Sequence, residues 1–269
     1  MSTRGLMAVA MMACASTALA QHIGDISPAL VPANDPSGEL LRLQTNLFTN
    51  AGLVEGARVF DADFGDSGFP EFTTNPGFDA PAGTFTPGTR VGFRAPEGLF
   101  RFVTLPEPAL LPVTSERLDV SFLSFLETIG AEPADGFDLA VQSNGGWHRH
   151  LSFEIFDESL PLPAPGIYVL PMTLYSTDPS ILESDRFWMV FNYASSQSAQ
   201  DEAIAWIENT LLASPCPADL DGDGAVGPGD LATLLGAWGG SDASADLDGD
   251  GAVGPGDLAT LLGLWGDCG

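Results

Sequence analysis

The chain has 269 residues, which is enough for one sizeable core and a small second unit. It carries 36 acidic and 9 basic residues, all of the latter arginine, for a formal net charge of −27 at pH 7. Because such a surface repels phosphate backbones and anionic lipids, the composition argues against nucleic acid and membrane surfaces as partners.

The first 20 residues have the pattern of a secretory signal peptide. Arg4 precedes an apolar run over 6–13, and residues 18–20 read Ala-Leu-Ala, the small-residue ending of a cleavage site. No segment of the chain approaches the roughly 20 apolar residues that a membrane-spanning helix needs. We therefore expect a protein that is secreted or held at the cell surface. Lipidation at Cys14 is the alternative, although residues 11–13 make a poor lipobox.

Residues 21–213 are expected to form a mainly β domain, a β-sandwich or jelly roll with one helix at its end. Glycine, proline and alternating apolar residues dominate this part of the chain. The clearest strands are predicted at 118–125, 137–142, 150–156, 167–175 and 187–193. A stripe of apolar residues predicts a helix over 199–212.

The segment from Trp147 to Glu154 contains the main candidates for chemistry in this domain. Strand alternation would place His148, His150 and Glu154 on one face. Paired imidazoles on a strand face suit zinc, so one hypothesis is a zinc site made by His148 and His150, with His22 or Glu154 completing it. The other interpretation, which the spacing alone favours, is a row of solvated polar side chains.

The same segment carries a resemblance. A Trp-His-x-His strand followed by a Pro-Gly-x-Tyr strand is similar to a loose group of secreted, surface-anchored bacterial β-domain proteins, some of them zinc-regulated. The matching residues are Trp147, His148, His150, Pro165, Gly166 and Tyr168. This resemblance implies a surface protein that handles metal rather than a known enzyme.

An enzyme is a further alternative for the β domain. Many glycosidases are jelly rolls that use two carboxylates. Aromatic side chains such as Trp147, Trp188 and Phe69 would stack on sugars if they are exposed, but aromatic residues of a β-sandwich more often belong to its core. No pair stands out among the candidate carboxylates Glu127, Glu154, Asp157 and Glu158, so we assign no catalytic residue.

The acidic stretch at Asp61, Asp63 and Asp66 suggests either another calcium site or turn chemistry.

Residues 218–240 and 245–267 are two copies of one segment, and only two of the 23 paired positions differ. Each copy contains a twelve-residue loop, 219–230 and 246–257, with aspartate at positions 1, 3, 5 and 12 and glycine at position 6. A hard cation needs six to eight oxygen ligands, and alternate side chains of such a loop supply them together with the position 7 carbonyl. The sequence therefore predicts two calcium ions, with ligands from Asp219, Asp221, Asp223, Ala225 and Asp230, and from Asp246, Asp248, Asp250, Ala252 and Asp257.

Residues 214–269 are expected to form a small all-α module. Proline opens each helix, and an apolar stripe follows, made of Leu231, Leu234, Leu235 and Trp238 in the first copy and their equivalents in the second. We expect the two stripes to bury each other. Cys216 and Cys268 bracket the module, and in an oxidising compartment such an isolated pair is expected to form a disulfide.

The two loops resemble the duplicated calcium segments of type I dockerins. Those modules attach secreted enzymes and binding proteins to cohesin-bearing scaffolds, often for polysaccharide breakdown. The resemblance implies a cohesin-like or other surface protein as partner, and its link to polysaccharide breakdown makes carbohydrate a further candidate. A surface-retention or self-assembly role for the tail is equally open. Cohesin recognition in dockerins relies on hydroxyl residues at loop positions 10 and 11, where this chain has Pro228-Gly229 and Pro255-Gly256.

Taken together, these patterns predict a secreted calcium-binding protein whose tail attaches a recognition or structural β domain to a partner. The first alternative is a carbohydrate-active hydrolase, or an accessory protein, of a polysaccharide-degrading assembly. The second alternative is a zinc-binding surface protein.

Overall fold

The structure is a computed structural model that describes residues 24–33, 40–104, 106–212, 217–221, 225–241 and 244–267. The expected signal peptide, His22, Asp223 and the cysteine pair Cys216 and Cys268 lie outside these residues. Within the described part of the chain, no helix is both long and apolar enough to cross a membrane.

The described residues before 213 are mainly β, as the alternating apolar pattern predicts. A single long helix, α1, spans Gln197–Thr210. The strands are β1 (Ala29–Pro32), β2 (Leu41–Gln44), β3 (Leu47–Thr49), β4 (Gly52–Val54), β5 (Val59–Asp63), β6 (Phe72–Thr73), β7 (Phe78–Ala80), β8 (Arg90–Arg94), β9 (Phe100–Val103), β10 (Ala109–Pro112), β11 (Glu116–Phe122), β12 (Phe125–Ile129), β13 (Asp138–Ala140), β14 (Trp147–Arg149), β15 (Ser152–Asp157), β16 (Gly166–Ser176), β17 (Ile181–Leu182) and β18 (Phe187–Tyr193).

The largest sheet has seven strands arranged around β16. Its main order is β10-β9-β16-β18-β5, and β8 joins the far end of β16 and carries β13. The pairing of β5 with β18 is parallel, whereas the other pairings are antiparallel. The central strands read as nearly continuous apolar runs because both of their faces are covered.

A second sheet, ordered β12-β11-β15-β6, packs on one face of the first. The side chains that meet between them form one buried cluster, to which β11 gives Leu118 and Val120 and β15 gives Phe153 and Ile155. The ring of Phe153 lies 5.2 Å from that of Phe191 on β18 and so links the two sheets. This two-layer arrangement is compatible with the expected sandwich.

Helix α1 covers the other face of the large sheet. The Ser196 hydroxyl caps the helix by accepting the Ala199 N–H, and Ala203 and Ile207 are fully buried in a second apolar cluster. The buried Gln200 amide donates to the carbonyls of β5 and β18, at 3.0 and 2.9 Å. The helix is therefore fixed to the two parallel strands by hydrogen bonds as well as by apolar contact.

A smaller sheet lies beside these layers and includes the segment 24–27. That segment exchanges backbone hydrogen bonds with residues 46–48 on one side and with residues 77–79 on the other, and β14 pairs with the far edge of β7. The strand predicted at 150–156 begins at Ser152, because the chain changes partners there: β14 pairs with β7, whereas β15 pairs with β11 and β6. The single continuous strand face expected from 148 to 154 is consequently broken at His150.

The tail contains two equivalent helices, α2 (Pro228–Gly236) and α3 (Pro255–Gly263), with a core of its own around Leu234 and Leu261. It also contains a short antiparallel pair, β19 (Ala225–Val226) with β20 (Gly266–Asp267), so an all-α module is not what the structure shows. In the second loop, Val253 is the equivalent of Val226, and its backbone forms hydrogen bonds with the backbone of residues 239 and 240. Each loop is thereby held against the end of the other copy's helix.

The two apolar stripes bury each other only in part. Leu234 and Leu261 are fully buried, but Leu235, Trp238 and their equivalents Leu262 and Trp265 are 44 to 53% exposed. A helix face wider than one contact row cannot be covered by a single neighbouring helix, so the outer residues of each stripe stay at the surface.

Candidate metal centres

The second repeat loop, 246–257, brings three of its predicted ligands together. Carboxylate oxygens of Asp246, Asp248 and Asp250 all lie within 4.8 Å of one another. Backbone N–H groups orient them: Asp250 and Gly251 donate to the two oxygens of Asp246, at 3.1 and 2.9 Å. The loop thus turns around its first aspartate and directs the oxygens of positions 1, 3 and 5 toward one point, as a hard cation requires.

Asp257, at position 12, is fully buried and closes the loop from the first turn of α3. One of its oxygens accepts the N–H of Gly254 at 2.6 Å, and the other accepts those of Leu247 and Asp248 at 2.6 and 3.1 Å. The Gly254 bond is the main cause of a pKa for Asp257 below the usual 3.8, and the other backbone bonds outweigh the opposing effect of desolvation. This carboxylate is therefore ionised and fixed in place, but it is not among the three clustered side chains.

The first loop, 219–230, repeats this arrangement as far as it is described. Asp219, Asp221 and Asp230 have oxygens within 4.8 Å of one another, so here position 12 joins the cluster. Desolvation opposes ionisation of Asp230, but backbone N–H groups led by that of Gly227 outweigh it and lower its pKa. Ala225, which is predicted to give its carbonyl, lies at the start of β19.

Glycine at position 11 of each loop is explained by the close approach of the position 3 carboxylate. A Cβ atom at position 256 would lie 1.7 Å from Oδ2 of Asp248, and one at position 229 would lie equally close to Oδ2 of Asp221. Real Cβ contacts are essentially never shorter than 3.0 Å. The position 3 carboxylate thus occupies space that exists only because the helix carries glycine there, in the place where dockerins have a hydroxyl residue.

The chain matches no protein-family model, no curated protein and no solved structure.

The β domain brings its two described histidines together, with partners that the sequence pattern does not reveal. The rings of His148 and His150 have centroids 5.2 Å apart. His148 Nδ1 lies 3.2 Å from Oδ1 of Asp79, and His150 Nε2 lies 3.8 Å from Oδ2 of Asp25. Glu154, one of the residues expected to complete a zinc site, is exposed on β15 and pairs across the sheet with residues 72 and 119.

Asp25 and Asp79 are the residues that sequence reasoning missed. Both are only 3% exposed, and they come from two segments 54 positions apart that the small sheet places side by side. The sequence offers only a weak signal for them: Asp25 precedes Ile26, and Asp79 follows Phe78. An aspartate next to an apolar residue is too common a pattern to indicate a site.

The acidic stretch after β5 lines a cleft that also reaches Asp25. Asp61, Asp63 and Asp66 line it together with Asn75. Desolvation first, and then repulsion from Asp61, raises the pKa of Asp63, while Asp66 accepts hydrogen bonds from Thr73 and Asn75. The cleft therefore concentrates negative charge beside the histidine cluster, which favours the approach of cations.

Several of the features that suggested a glycosidase have structural roles. Asp157 accepts the N–H groups of Ser159 and Leu160 and the Ser115 hydroxyl, which is the pattern of a turn. Of the aromatic candidates, Trp147 and Trp188 are 2 and 3% exposed and belong to the core, whereas Phe69 is 69% exposed.

Proposed function

We propose that this chain is a secreted calcium-binding protein in which a dockerin-like tail attaches a β-sandwich domain to another protein. The observation that carries the proposal is the clustering of Asp246, Asp248 and Asp250 within 4.8 Å, repeated in the first loop by Asp219 and its neighbours. Three carboxylates held this close repel one another in the absence of a counter-ion, and calcium supplies that charge with the ligand type it prefers.

The site chemistry favours calcium over a transition metal. The clustered ligands are all carboxylate oxygens, and each loop adds a backbone carbonyl position, at Ala225 and Ala252. Oxygen-only sites of six or more ligands suit calcium or magnesium, and the flexible loop geometry suits the larger ion. We expect two ions per chain.

The exposed apolar residues of the tail support its role in attachment. Leu235 and Trp238 on α2, and Leu262 and Trp265 on α3, remain about half exposed and are related by the repeat. Exposed tryptophan and leucine on a small module are typical of a surface that binds a protein partner. Calcium would order the loops that position these helices and so would control the surface.

Calorimetric titration of the full chain with calcium tests the metal part of the proposal. The expected result is two bound ions for the wild type and one for Asp248→Asn, which removes one clustered carboxylate from the second loop only. Glu154→Gln, an equally conservative change on the β domain, should leave both sites intact. Absence of calcium uptake by the wild type would refute the proposal.

Binding to a purified type I cohesin, with and without calcium, tests the attachment part. We expect a complex that forms only with calcium and that Trp238→Ala weakens without loss of bound calcium. A tail that binds two calcium ions but no cohesin would reject this partner and would fit the change of hydroxyl residues to Pro-Gly at loop positions 10 and 11.

A further inference from the structure

Two buried carboxylates face two imidazoles in the small sheet. In the register of β7 and β14, Asp79 lies directly opposite His148, and Asp25 lies on the neighbouring segment 24–27. Their immediate neighbours Ile26 and Phe78 are fully buried in the core, so alternation puts the two aspartates on the other face of the sheet. Strand β7, segment 24–27, β14 and the residue that follows β14, His150, thus converge on one place.

Hydrogen bonds from outside the cluster fix the direction of its groups. The Gly77 N–H donates to Oδ1 of Asp25 at 2.9 Å, which turns Oδ2 toward His150. The Thr74 carbonyl lies 3.1 Å from Nδ1 of His150, so this nitrogen carries the proton and donates it. Nε2 of His150 is then the ring nitrogen that faces the Asp25 carboxylate. A backbone carbonyl that holds the outer nitrogen of an imidazole is the usual support of a metal-binding histidine.

Asp79 has an oxygen that protein groups leave unsatisfied. Its Oδ2 is buried, and none of the described residues donates a hydrogen bond to it. A buried carboxylate oxygen without a donor is strongly unfavourable unless a cation lies beside it. The other oxygen, Oδ1, lies 3.2 Å from Nδ1 of His148.

The backbone beside the cluster leaves no room for a larger residue. A Cβ atom at position 77 would lie 2.5 Å from Cε1 of His150, so the ring rests directly on the glycine. This contact fixes the position of the ring, with its Nε2 beside the carboxylate of Asp25. The acidic cleft lined by Asp25, Asp61 and Asp63 opens next to it and gives cations a route of favourable potential.

We propose that this cluster is a binding site for one divalent transition-metal ion. The ion would take two imidazole nitrogens and two carboxylate oxygens as ligands, from Asp25, Asp79, His148 and His150. Mixed nitrogen and oxygen ligands in this number suit zinc and its first-row neighbours, and they distinguish the site from the all-oxygen loops of the tail. The bound ion would join segment 24–27, β7 and β14 and so would brace the β domain independently of calcium.

Titration of the full chain with zinc, and separately with manganese, tests the proposal. Saturating calcium is present throughout, so that the tail loops are occupied and cannot take up the added metal. We expect one zinc or manganese ion per chain, with affinity weakened by about 10 to 100-fold in Asp79→Asn. Glu154→Gln, which changes an exposed carboxylate six residues from His148, should bind as the wild type does.

Urea unfolding in EDTA and in excess metal separates loss of the site from loss of the fold. Asp79→Asn removes a buried charge and keeps the side-chain size, so in EDTA it should unfold at the same urea concentration as the wild type or higher. Added metal should raise the midpoint of the wild type and leave that of the variant unchanged, and His150→Gln should behave in the same way. Failure to bind either metal, or binding that both variants retain, would overturn the proposal.

Discussion

The glycine at loop position 11 offers the sharpest test of the calcium geometry. In Gly256→Ala the new methyl group would lie 1.7 Å from Oδ2 of Asp248, and a contact of 3.0 Å requires the carboxylate to move by about 1.3 Å. Calcium–oxygen bonds are only about 2.3 to 2.6 Å long, so a displacement of that size removes the ligand. We expect the calcium affinity of the second loop to fall by roughly 10 to 100-fold, by analogy with the loss of supporting groups at other metal sites.

The assay is calorimetric titration with calcium of the wild type, Gly256→Ala and a matched control, Gly263→Ala. Position 263 ends α3, and apart from its chain neighbours and the backbone of its own helix, no atom lies within 4 Å of a Cβ placed there. The control should keep both calcium sites and should gain up to about 1 kcal/mol of stability from the higher helix propensity of alanine. If Gly256→Ala binds two ions with wild-type affinity, the position 3 carboxylate does not lie where we place it, and the reasoning fails.

Two further predictions concern the β domain. Gln200→Leu should lower the free energy of unfolding by roughly 1 to 3 kcal/mol, because buried carbonyls of β5 and β18 lose their donor, whereas Glu202→Leu on the exposed face of α1 should change it by less than about 0.5 kcal/mol; urea denaturation measures both. Desolvation opposes ionisation of Asp157, but hydrogen bonds from Ser159, Ser115 and Leu160 outweigh it and lower the pKa of this carboxyl group. Ionised Asp157 therefore stabilises the fold at pH values above the ordinary carboxyl pKa of 3.8, and this stabilisation is lost as the pH falls through the pKa of the folded state. In EDTA, the difference in urea midpoint between the wild type and Asp157→Asn should therefore shrink from about pH 5 to pH 2, and a difference that stays constant would contradict this.

Local patterns in the sequence predict local structure well here. The strand predicted at 187–193 is β18 to the residue, and the helix predicted at 199–212 overlaps α1 over most of its length. The calcium loops follow from spacing because all their ligands lie within twelve residues, and the structure brings three predicted aspartates of each loop together.

What the sequence could not predict depends on contacts between distant segments. Asp25 and Asp79 approach His148 and His150 only because segment 24–27 lies next to β7, and neither aspartate stands out in its own stretch of sequence. The stripe of α2 shows a similar limit: periodicity groups Leu234 with Trp238 on one face, but the extent of burial depends on how much of that face the neighbouring helix covers.

The parallel pairing of β5 with β18 has a consequence for how the domain reaches its native state. Residues 59–63 lie beside residues 188–192, and likewise residues 41 and 42 of β2 lie beside 181 and 182 of β17, so strands from the two ends of the domain complete each other's sheets. Loop closure over such distances carries an entropic cost before any contact forms, and topologies of this kind fold on the scale of milliseconds to seconds or more slowly. During synthesis, the early strands must therefore wait for nearly the whole domain to emerge before their edges are covered, and the chain is most exposed to aggregation in that interval.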